Sequence, residues 1–392
     1  MKRMAHLVTL IGFLAVIFGF TLAFWILPDQ SFSQEENRSL QRLPRFSLER
    51  LASGEFSSQI NEYFADQFPL RDALIGIKGG VELALGKGEN NGVLLGKDGQ
   101  IAKRMFSVFG ADGDHGGELD RCYDDHLIKA IAGINRIGES SRVPVDVLLT
   151  GRTVDVAASA FSYPQDYSDA MLKIIRTQIS SKVNYLDTVP MYRQRYEAGE
   201  EVYFKTDHHW TQLGAYYAYV ELMKSYGMED AIIPIERYER RQYEGIEFYG
   251  TTWSASGMKH VAPDSFELWY LGNEQDFTVM ADGKEFTGFY NLDFLAKKDK
   301  YSTFLDGTHD VVTVKKNTDE ARQTLVLFKD SFANALVPFL AQHFDLVLLN
   351  LSSTRTDYTD ITAYASQYGA DRILIVYTVG NVISTDKLER LR

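Results

Sequence analysis

Cysteine is nearly absent from this chain of 392 residues: Cys122 is the one thiol. A disulfide framework needs at least two thiols and a cysteine-rich metal site needs more, so neither can be built within the chain. A single thiol is compatible with an oxidising exterior, and the plain reading of Cys122 is a small apolar residue on a helix. Positive charge is also in deficit. Lys and Arg number 41 against 53 Asp and Glu, a formal net charge of -12, and nothing in that balance suggests a nucleic-acid-binding surface. Acidity of this size is an ordinary solubility feature. No internal repeat or low-complexity tract stands out. With 45% hydrophobic residues, the length suffices for one large α/β domain with additions, or for two domains.

The N-terminus lacks charge over a long stretch. Lys2 and Arg3 precede an uncharged run, rich in Leu, Ile, Phe and Val, from Leu7 to Leu27. About twenty such residues cross a bilayer as a helix, whereas secretory apolar regions are shorter, roughly 7–15 residues, and end at a small-residue cleavage site. No such site follows. Phe24-Trp25-Ile26-Leu27-Pro28 is bulky throughout, and Trp25 suits a membrane interface. Residues 1–28 therefore read as an uncleaved signal anchor. The positive-inside rule places everything after Pro28 outside the cell membrane. A cleaved signal peptide would leave the rest in the same compartment.

Residues 29–54 are polar and turn-rich, as in a stem, and Phe56, Ile60, Tyr63, Phe64, Phe68, Leu74, Ile77 and Leu83 recur at helical intervals. We therefore expect a stem and helical lead-in over 29–85 and a catalytic domain over 86–392. The alternation and Asp98-Gly99 punctuation of residues 90–101 read as a hairpin, and a helix is expected over 118–138. Short aliphatic runs at 145–150, 183–186, 324–328, 346–349 and 372–377, joined by helical stretches, predict a parallel sheet covered on both faces. Residues 229–320 differ. The runs 266–271 and 311–314 and the Ala281-Asp282-Gly283 turn suggest a β-rich insertion of antiparallel hairpins.

Ligands of open parallel sheets sit beyond the carboxyl ends of the strands. The strand ending at Phe328 runs into Lys329-Asp330-Ser331 and then a helical pattern, so Ser331 falls at a strand-to-helix turn. A nucleophile there gains backbone N–H groups for an oxyanion; Asp330 and Ser331 are equally good helix caps. The partner is Thr206-Asp207-His208-His209-Trp210-Thr211. In extended backbone, residues two apart share a side, so Asp207 can orient His209 while His208 faces away. An Asp that orients a His that deprotonates a Ser is triad logic, which does not depend on chain order.

These residues also carry a family resemblance. Residues 206–211, followed by Gly214-Ala215-Tyr216-Tyr217-Ala218-Tyr219, resemble the signature of the DHHW family, and residues 329–335 are similar to its second motif. Glu36-Asn37-Arg38, residues 64–71, Tyr249-Gly250-Thr251 and residues 376–381 extend the likeness to nearly the whole chain beyond the anchor. The resemblance implies an SGNH-hydrolase-like, three-layer α/β/α fold with a mostly parallel sheet, related to alginate O-acetyltransferases of bacterial envelopes. It implies Ser331 as nucleophile, His209 as base and Asp207 as its orienting acid, with His208 and Trp210 in support. Asp330, Asn334, Arg355 and Asn381 are candidates for contacts with substrate or oxyanion. Lys329 departs from the pattern: ordinary SGNH enzymes have glycine there, and a side chain is expected to narrow or charge the pocket.

The chemistry so implied is acyl transfer, or ester hydrolysis with water as acceptor. The expected partners are an envelope polysaccharide as acceptor and a membrane-bound O-acyltransferase as supplier of acyl groups. No cofactor and no metal is expected. Two other readings stay open. Asp-His-His is also a metal-hydrolase pattern, although His115, His126, His260, His309 and His343 show no ligand spacing. A glycan-binding or scaffold protein without turnover would fit the 13% aromatic content as well.

Overall fold

The computed structural model describes residues 2–33, 35–36, 38–104, 116–162 and 166–392. The side chain of Cys122, all of His115 and the Asn37 of the stem motif lie outside the described residues. The chain divides into two compact units, Met1–Asn91 with Ser254–His260, and Gly92–Trp253 with Val261–Arg392.

In the first unit, α1 (Lys2–Ile26) is long and apolar enough from Met4 to Ile26 to cross a membrane, and none of that stretch is buried. After a single short helix at Leu48–Ala52, two longer ones follow, α2 (Glu55–Asp66) and α3 (Arg71–Ala84). The single periodic stretch of the sequence is broken at Phe68-Pro69-Leu70, where Leu70 takes a left-handed φ of 58° and opens α3. Its apolar residues are for the most part not core. Tyr63 is buried, whereas Phe64, Phe68, Leu74 and Ile77 are exposed. The segment between α1 and α2 is fastened. The Gln67 side chain accepts from Gln30 N–H at 2.9 Å and donates to the Gln41 carbonyl at 2.9 Å. Arg38 reaches Asp66 at 2.9 Å, and Arg71 reaches Glu36 at 2.8 Å. On its buried side α3 comes so close to the 254–260 segment that a Cβ on Gly79 would lie 2.8 Å from the Gly257 carbonyl oxygen.

The second unit holds the eight-stranded sheet. In chain order its strands are β1 (Val145–Thr150), β2 (Asn184–Leu186), β3 (Phe277–Ala281), β4 (Lys284–Thr287), β5 (Val311–Lys316), β6 (Thr324–Lys329), β7 (Asp345–Asn350) and β8 (Arg372–Thr378), and across the sheet they run β4-β3-β5-β7-β6-β8-β1-β2. The five strands from β7 to β2 are parallel. Pairings β7 to β5, β5 to β3 and β3 to β4 are antiparallel.

The apolar runs read from sequence are buried on both faces because alternate side chains enter two cores. Leu325 and Leu327 join one cluster together with Ala215 and Leu222 of α4 (Gln212–Ser225), while Val326 and Phe328 join the other with Ile131 and Ile134 of the long helix Gly116–Ser140. That is the three-layer α/β/α arrangement, SGNH-hydrolase-like in type.

The β-rich stretch 229–320 supplies antiparallel pairings as expected, and its strands β3, β4 and β5 extend the main sheet as an antiparallel edge. The Asp282-Gly283 turn does join β3 to β4, with φ of 47° and 83°. Glu239–Gln242 and Glu267–Tyr270 form a separate two-stranded pair. The hairpin expected at 90–101 pairs Val93–Leu95 with Ile101–Lys103 around the same Asp98-Gly99 turn.

Leu327 lies fully buried in the central strand of the sheet. Leu327→Ala removes its contacts and leaves a cavity, so the unfolding free energy from denaturant titration is expected to fall by about 2–5 kcal/mol. A change within experimental scatter would place this side chain outside a close-packed core.

Candidate active site

At the carboxyl end of β6 the chain turns through Asp330 into a short 3-10 helix, Ser331–Leu336. Asp330 caps it, accepting from Phe332 N–H at 3.1 Å. Its second oxygen accepts from Thr378 N–H at 2.7 Å, at the carboxyl end of neighbouring β8, and from the Asn381 side-chain amide at 2.9 Å, just beyond that end. Asp330 thereby latches the serine turn to the sheet edge. Burial raises its pKa, and the three donors oppose that rise without cancelling it. Ser331 begins the helix, where the helix itself offers no acceptor to the first N–H groups.

The histidines reach this edge on a tight loop. Tyr203 bridges Trp210, Phe204 N–H donates to the His209 carbonyl at 3.1 Å, and Thr211 N–H donates to the Val202 carbonyl at 3.0 Å. Thr211 then caps α4 by accepting from Gly214 N–H at 3.2 Å. Trp210 is fully buried, and its indole N–H donates to the Phe332 carbonyl at 3.0 Å. Two motifs 122 positions apart are thus joined beneath the reactive atoms.

Above that join, His209 Nε2 lies 2.7 Å from Ser331 Oγ, and His209 Nδ1 lies 2.5 Å from Asp207 Oδ1. Asp207 Oδ1 also accepts from His209 N–H at 3.0 Å, while Oδ2 accepts from Thr251 N–H at 2.7 Å and from the Thr251 hydroxyl at 2.9 Å. Burial alone would push this carboxyl up. The adjacent His208 and His209 imidazoles and these hydrogen bonds outweigh it, so Asp207 sits well below the usual carboxylate range. A carboxylate so placed accepts from Nδ1, which leaves Nε2 as the acceptor facing the serine hydroxyl.

Space around Asp207 is fully used. A Cβ on Gly250 would fall 2.5 Å from Asp207 Oδ2 and 2.7 Å from its Cα, so only glycine fits there. The loop carrying Gly250 is held by Thr206, whose hydroxyl accepts from Gly250 N–H at 3.1 Å. Thr206 is in turn gripped by Asp264, which accepts from the Lys205 and Thr206 N–H groups at 2.8 Å each and lies 2.5 Å from the Thr206 hydroxyl. Burial pushes the Asp264 pKa up to about 6, against those hydrogen bonds.

His208 is not turned away as strict alternation would have it. The 205–209 segment bends instead of running as a strand, and the two imidazole centroids lie 3.8 Å apart. His208 Nδ1 lies 2.8 Å from the Thr251 hydroxyl, so the ring abuts the group that holds Asp207. Burial lowers its pKa to about 3, with His209 adding to the shift and Asp207 opposing it. Its side chain is 39% exposed, which tempers that shift, but the direction keeps it neutral near pH 7.

The outlying candidates have other occupations. Lys329 does not narrow or charge a pocket. It is buried, and its ammonium donates to Asn334 Oδ1 at 2.7 Å. Asn334 is buried as well, and its amide donates to the Gly307 carbonyl at 3.3 Å. Asn381 serves Asp330. Arg355 is an exposed side chain paired with Asp282 at 2.9 Å and Asp310 at 2.8 Å. None of these is aimed at Ser331 by the bonds it makes. Their spacing along the chain told nothing of this, because β-strand register and not sequence distance sets which side chains meet. Tyr301 went unread. Its ring stacks on His209 at 3.7 Å between centroids with an 8° interplanar angle, and its hydroxyl lies 3.3 Å from the Phe332 carbonyl. Thr251 carries its signal in the Tyr249-Gly250-Thr251 motif, which is what could place it beside Asp207.

Asp207, His208 and His209 form a cluster whose ligand atoms lie within 4.8 Å of one another, close enough to hold a metal ion. The donor set fits poorly. Both nitrogens of His209, Nδ1 of His208 and both oxygens of Asp207 already face protein partners, so a metal would have to displace them.

The class is therefore an SGNH-like α/β protein with an Asp–His–Ser array at the carboxyl edge of its parallel strands. Residues 159–350 match the family model described as DHHW protein. Among solved structures it is similar to a DHHW family protein from Eubacterium siraeum, at 20% identity and a TM-score of 0.58, covering 77% of this chain and 95% of that one. It is also similar to PatB1 of Bacillus cereus, solved with a sulfonyl adduct, at 21% identity and a TM-score of 0.59, covering 76% of this chain and 98% of that one. At such identities the likeness shows the fold. None of the curated proteins matches this sequence.

Two measurements test the site. Gly250→Ala displaces Asp207, so the far-downfield proton resonance expected for the His209–Asp207 bond is lost in the variant; an unchanged resonance would show that the carboxylate does not need this glycine. The second concerns Lys329. Burial lowers its pKa to about 8, with Asp330 opposing. Between there and the ordinary lysine value of about 10.4 the unfolded chain holds more protons than the folded one, so stability from this group rises with pH. The unfolding free energy of wild type minus that of Lys329→Met should increase across that window, and a flat difference would place the ammonium in solvent.

Proposed function

We propose that this protein is a serine-dependent acyltransferase of the bacterial envelope, moving acetyl groups to hydroxyls of a polysaccharide outside the cell membrane. The observation that carries the reading is the continuous hydrogen-bond chain from Asp207 through His209 to Ser331 Oγ, with separations of 2.5 and 2.7 Å. Ser331 Oγ attacks the acyl carbonyl as its proton passes to His209 Nε2. Asp207 stabilises the imidazolium without taking the proton. Backbone N–H groups of the serine turn face the tetrahedral oxyanion. When the intermediate collapses, His209 returns the proton to the departing oxygen and the acyl group stays on Ser331. A glycan hydroxyl then gives its proton to His209 and attacks the acyl-serine, which releases the ester product and restores the serine. With water as acceptor the same steps make an esterase.

Asp330, Asn334, Asn381 and Arg355 act in this scheme through the framework, and His208 and Trp210 support the loop and the turn. The anchor α1 keeps the catalytic unit at the membrane, where a membrane-bound O-acyltransferase would hand over acyl groups. The sulfonyl adduct recorded for PatB1 supplies a reagent class for the test. The metal-hydrolase reading has the donor triad behind it, but the triad's atoms are committed elsewhere.

Incubation of the purified full-length chain with an activated acetyl ester, followed by intact-mass analysis, should give one acetyl adduct. Peptide mapping should place it on Ser331. Ser331→Ala should abolish it, and His209→Ala should slow acylation by on the order of 10³-fold or more. A sulfonyl fluoride should compete for the same residue. Equal turnover by wild type and Ser331→Ala, or activity lost to chelators and restored by a divalent metal, would overturn the serine mechanism.

A further inference from the structure

The first unit shows solvent a face that soluble proteins bury. Along α3, Leu70, Leu74, Ile77, Val81 and Leu85 recur at spacings of four, three, four and four, which puts them on one side of the helix. All five are exposed, Leu70 by 69%, Ile77 by 62% and Leu85 by 79%. The buried side of α3 is the other one, carrying Gly79. Phe64 of α2 and Phe68 just after it are exposed as well. An apolar stripe of this length on a helix that already has a polar-anchored inner side is a binding face.

Contacts of the neighbouring rings, on and just after α2, with α1 place this unit against the candidate span. The Phe68 ring stacks on Phe20 of α1 at 5.2 Å, and Phe64 lies 5.2 Å from Phe24. Tyr63 meets Phe24 edge-on at 5.9 Å. Phe20 is six residues before the end of α1, about 9 Å down the helix at 1.5 Å per residue. Helices that lie in a membrane interface bury their apolar face by roughly 5–10 Å. The rings of α2 therefore meet the candidate span at the depth of the outer hydrocarbon boundary, where Trp25 is also exposed. The fastened segment between α1 and α2 leaves little freedom to lift α2 away. The stem carries charges of both signs, so attraction to anionic lipid is not the source of the contact.

We propose that α2 and α3 are a second membrane contact: an interfacial platform whose exposed stripe lies in the acyl and headgroup boundary of the outer leaflet, alongside the crossing helix. The occupant is lipid, not a loop of this chain or a partner protein. This inference is independent of the acyl-transfer reading, since it concerns no residue of the Asp207–His209–Ser331 array.

The test uses the full chain in phospholipid vesicles with Cys122→Ser and a single environment-sensitive probe attached through Ile77→Cys. The probe should emit as in an apolar medium and be quenched by lipids brominated near the carbonyl end of the acyl chain more than by lipids brominated at its terminus. A probe attached through Glu62→Cys should emit as in water, and one through Phe13→Cys should be quenched from within the core. Water-like emission at position 77 with quenching at position 13 overturns the platform while leaving the anchor standing. Shielding at position 77 that depends on protein density and not on lipid bromination assigns the stripe to a protein partner and overturns it too. Unquenched probes at both positions remove the span on which the platform depends. None of these outcomes bears on Ser331 acylation.

Discussion

The Asp207 carboxylate is the constraint on which the rest of the site depends. It is nearly inaccessible to water, yet it remains ionised because four hydrogen bonds and two imidazoles converge on it. A buried anion without such partners would take up a proton instead. The partners come from two separate stretches, the His209 loop and the Gly250-Thr251 turn. Removing a Cβ at Gly250 is what lets the second approach the first. Thr206 and Asp264 then serve the same end one layer further out, holding the turn in place. With the carboxylate fixed, the imidazole can present only one nitrogen to Ser331, and that geometry is what a proton shuttle requires.

Asp330 makes an instructive contrast. It too is buried and accepts three hydrogen bonds, yet its pKa rises where that of Asp207 falls. The difference lies in the company each keeps. Both feel the His209 imidazole, but Asp207 has it and His208 directly against it, whereas the groups that hydrogen-bond Asp330 are all amides. One carboxylate is therefore suited to stabilising an imidazolium that appears during a reaction. The other is suited to holding β6, β8 and the serine turn in register, a role that asks for geometry and not for charge.

Much of this was legible from residue types. Runs such as 325–328 and 373–376 are apolar at every position, which fits strands covered on both faces, and the strand-to-helix turn at Ser331 follows from where the run stops. Asp207 and His209 announced themselves by chemistry. What stayed hidden were partners set by three-dimensional register. Nothing in the sequence says that Tyr301 stacks on His209, that Lys329 turns inward to Asn334, or that Arg355 pairs with acidic residues of the sheet edge. The β-rich stretch was recognisable as β but not as part of the main sheet, because an edge pairing leaves no local mark on composition. His208 was misdirected for a related reason, since alternation applies to strands and the 205–209 segment is a bend.

The two units follow opposite rules of burial, and that contrast has a physical meaning. In the second, a large share of the big apolar side chains go inside, as water demands. In the first, helical periodicity is just as regular, but the apolar side of α3 faces out and the side bearing Gly79 faces in. Periodicity reports that a helix has two unlike faces; it does not report which solvent each face meets. That depends on surroundings, and here the surroundings include a neighbouring helix of membrane-spanning length. The same pattern that marks a core in the second unit marks the proposed boundary with lipid in the first. The stem is thus better understood as a folded part with its own solvent than as a spacer between an anchor and an enzyme.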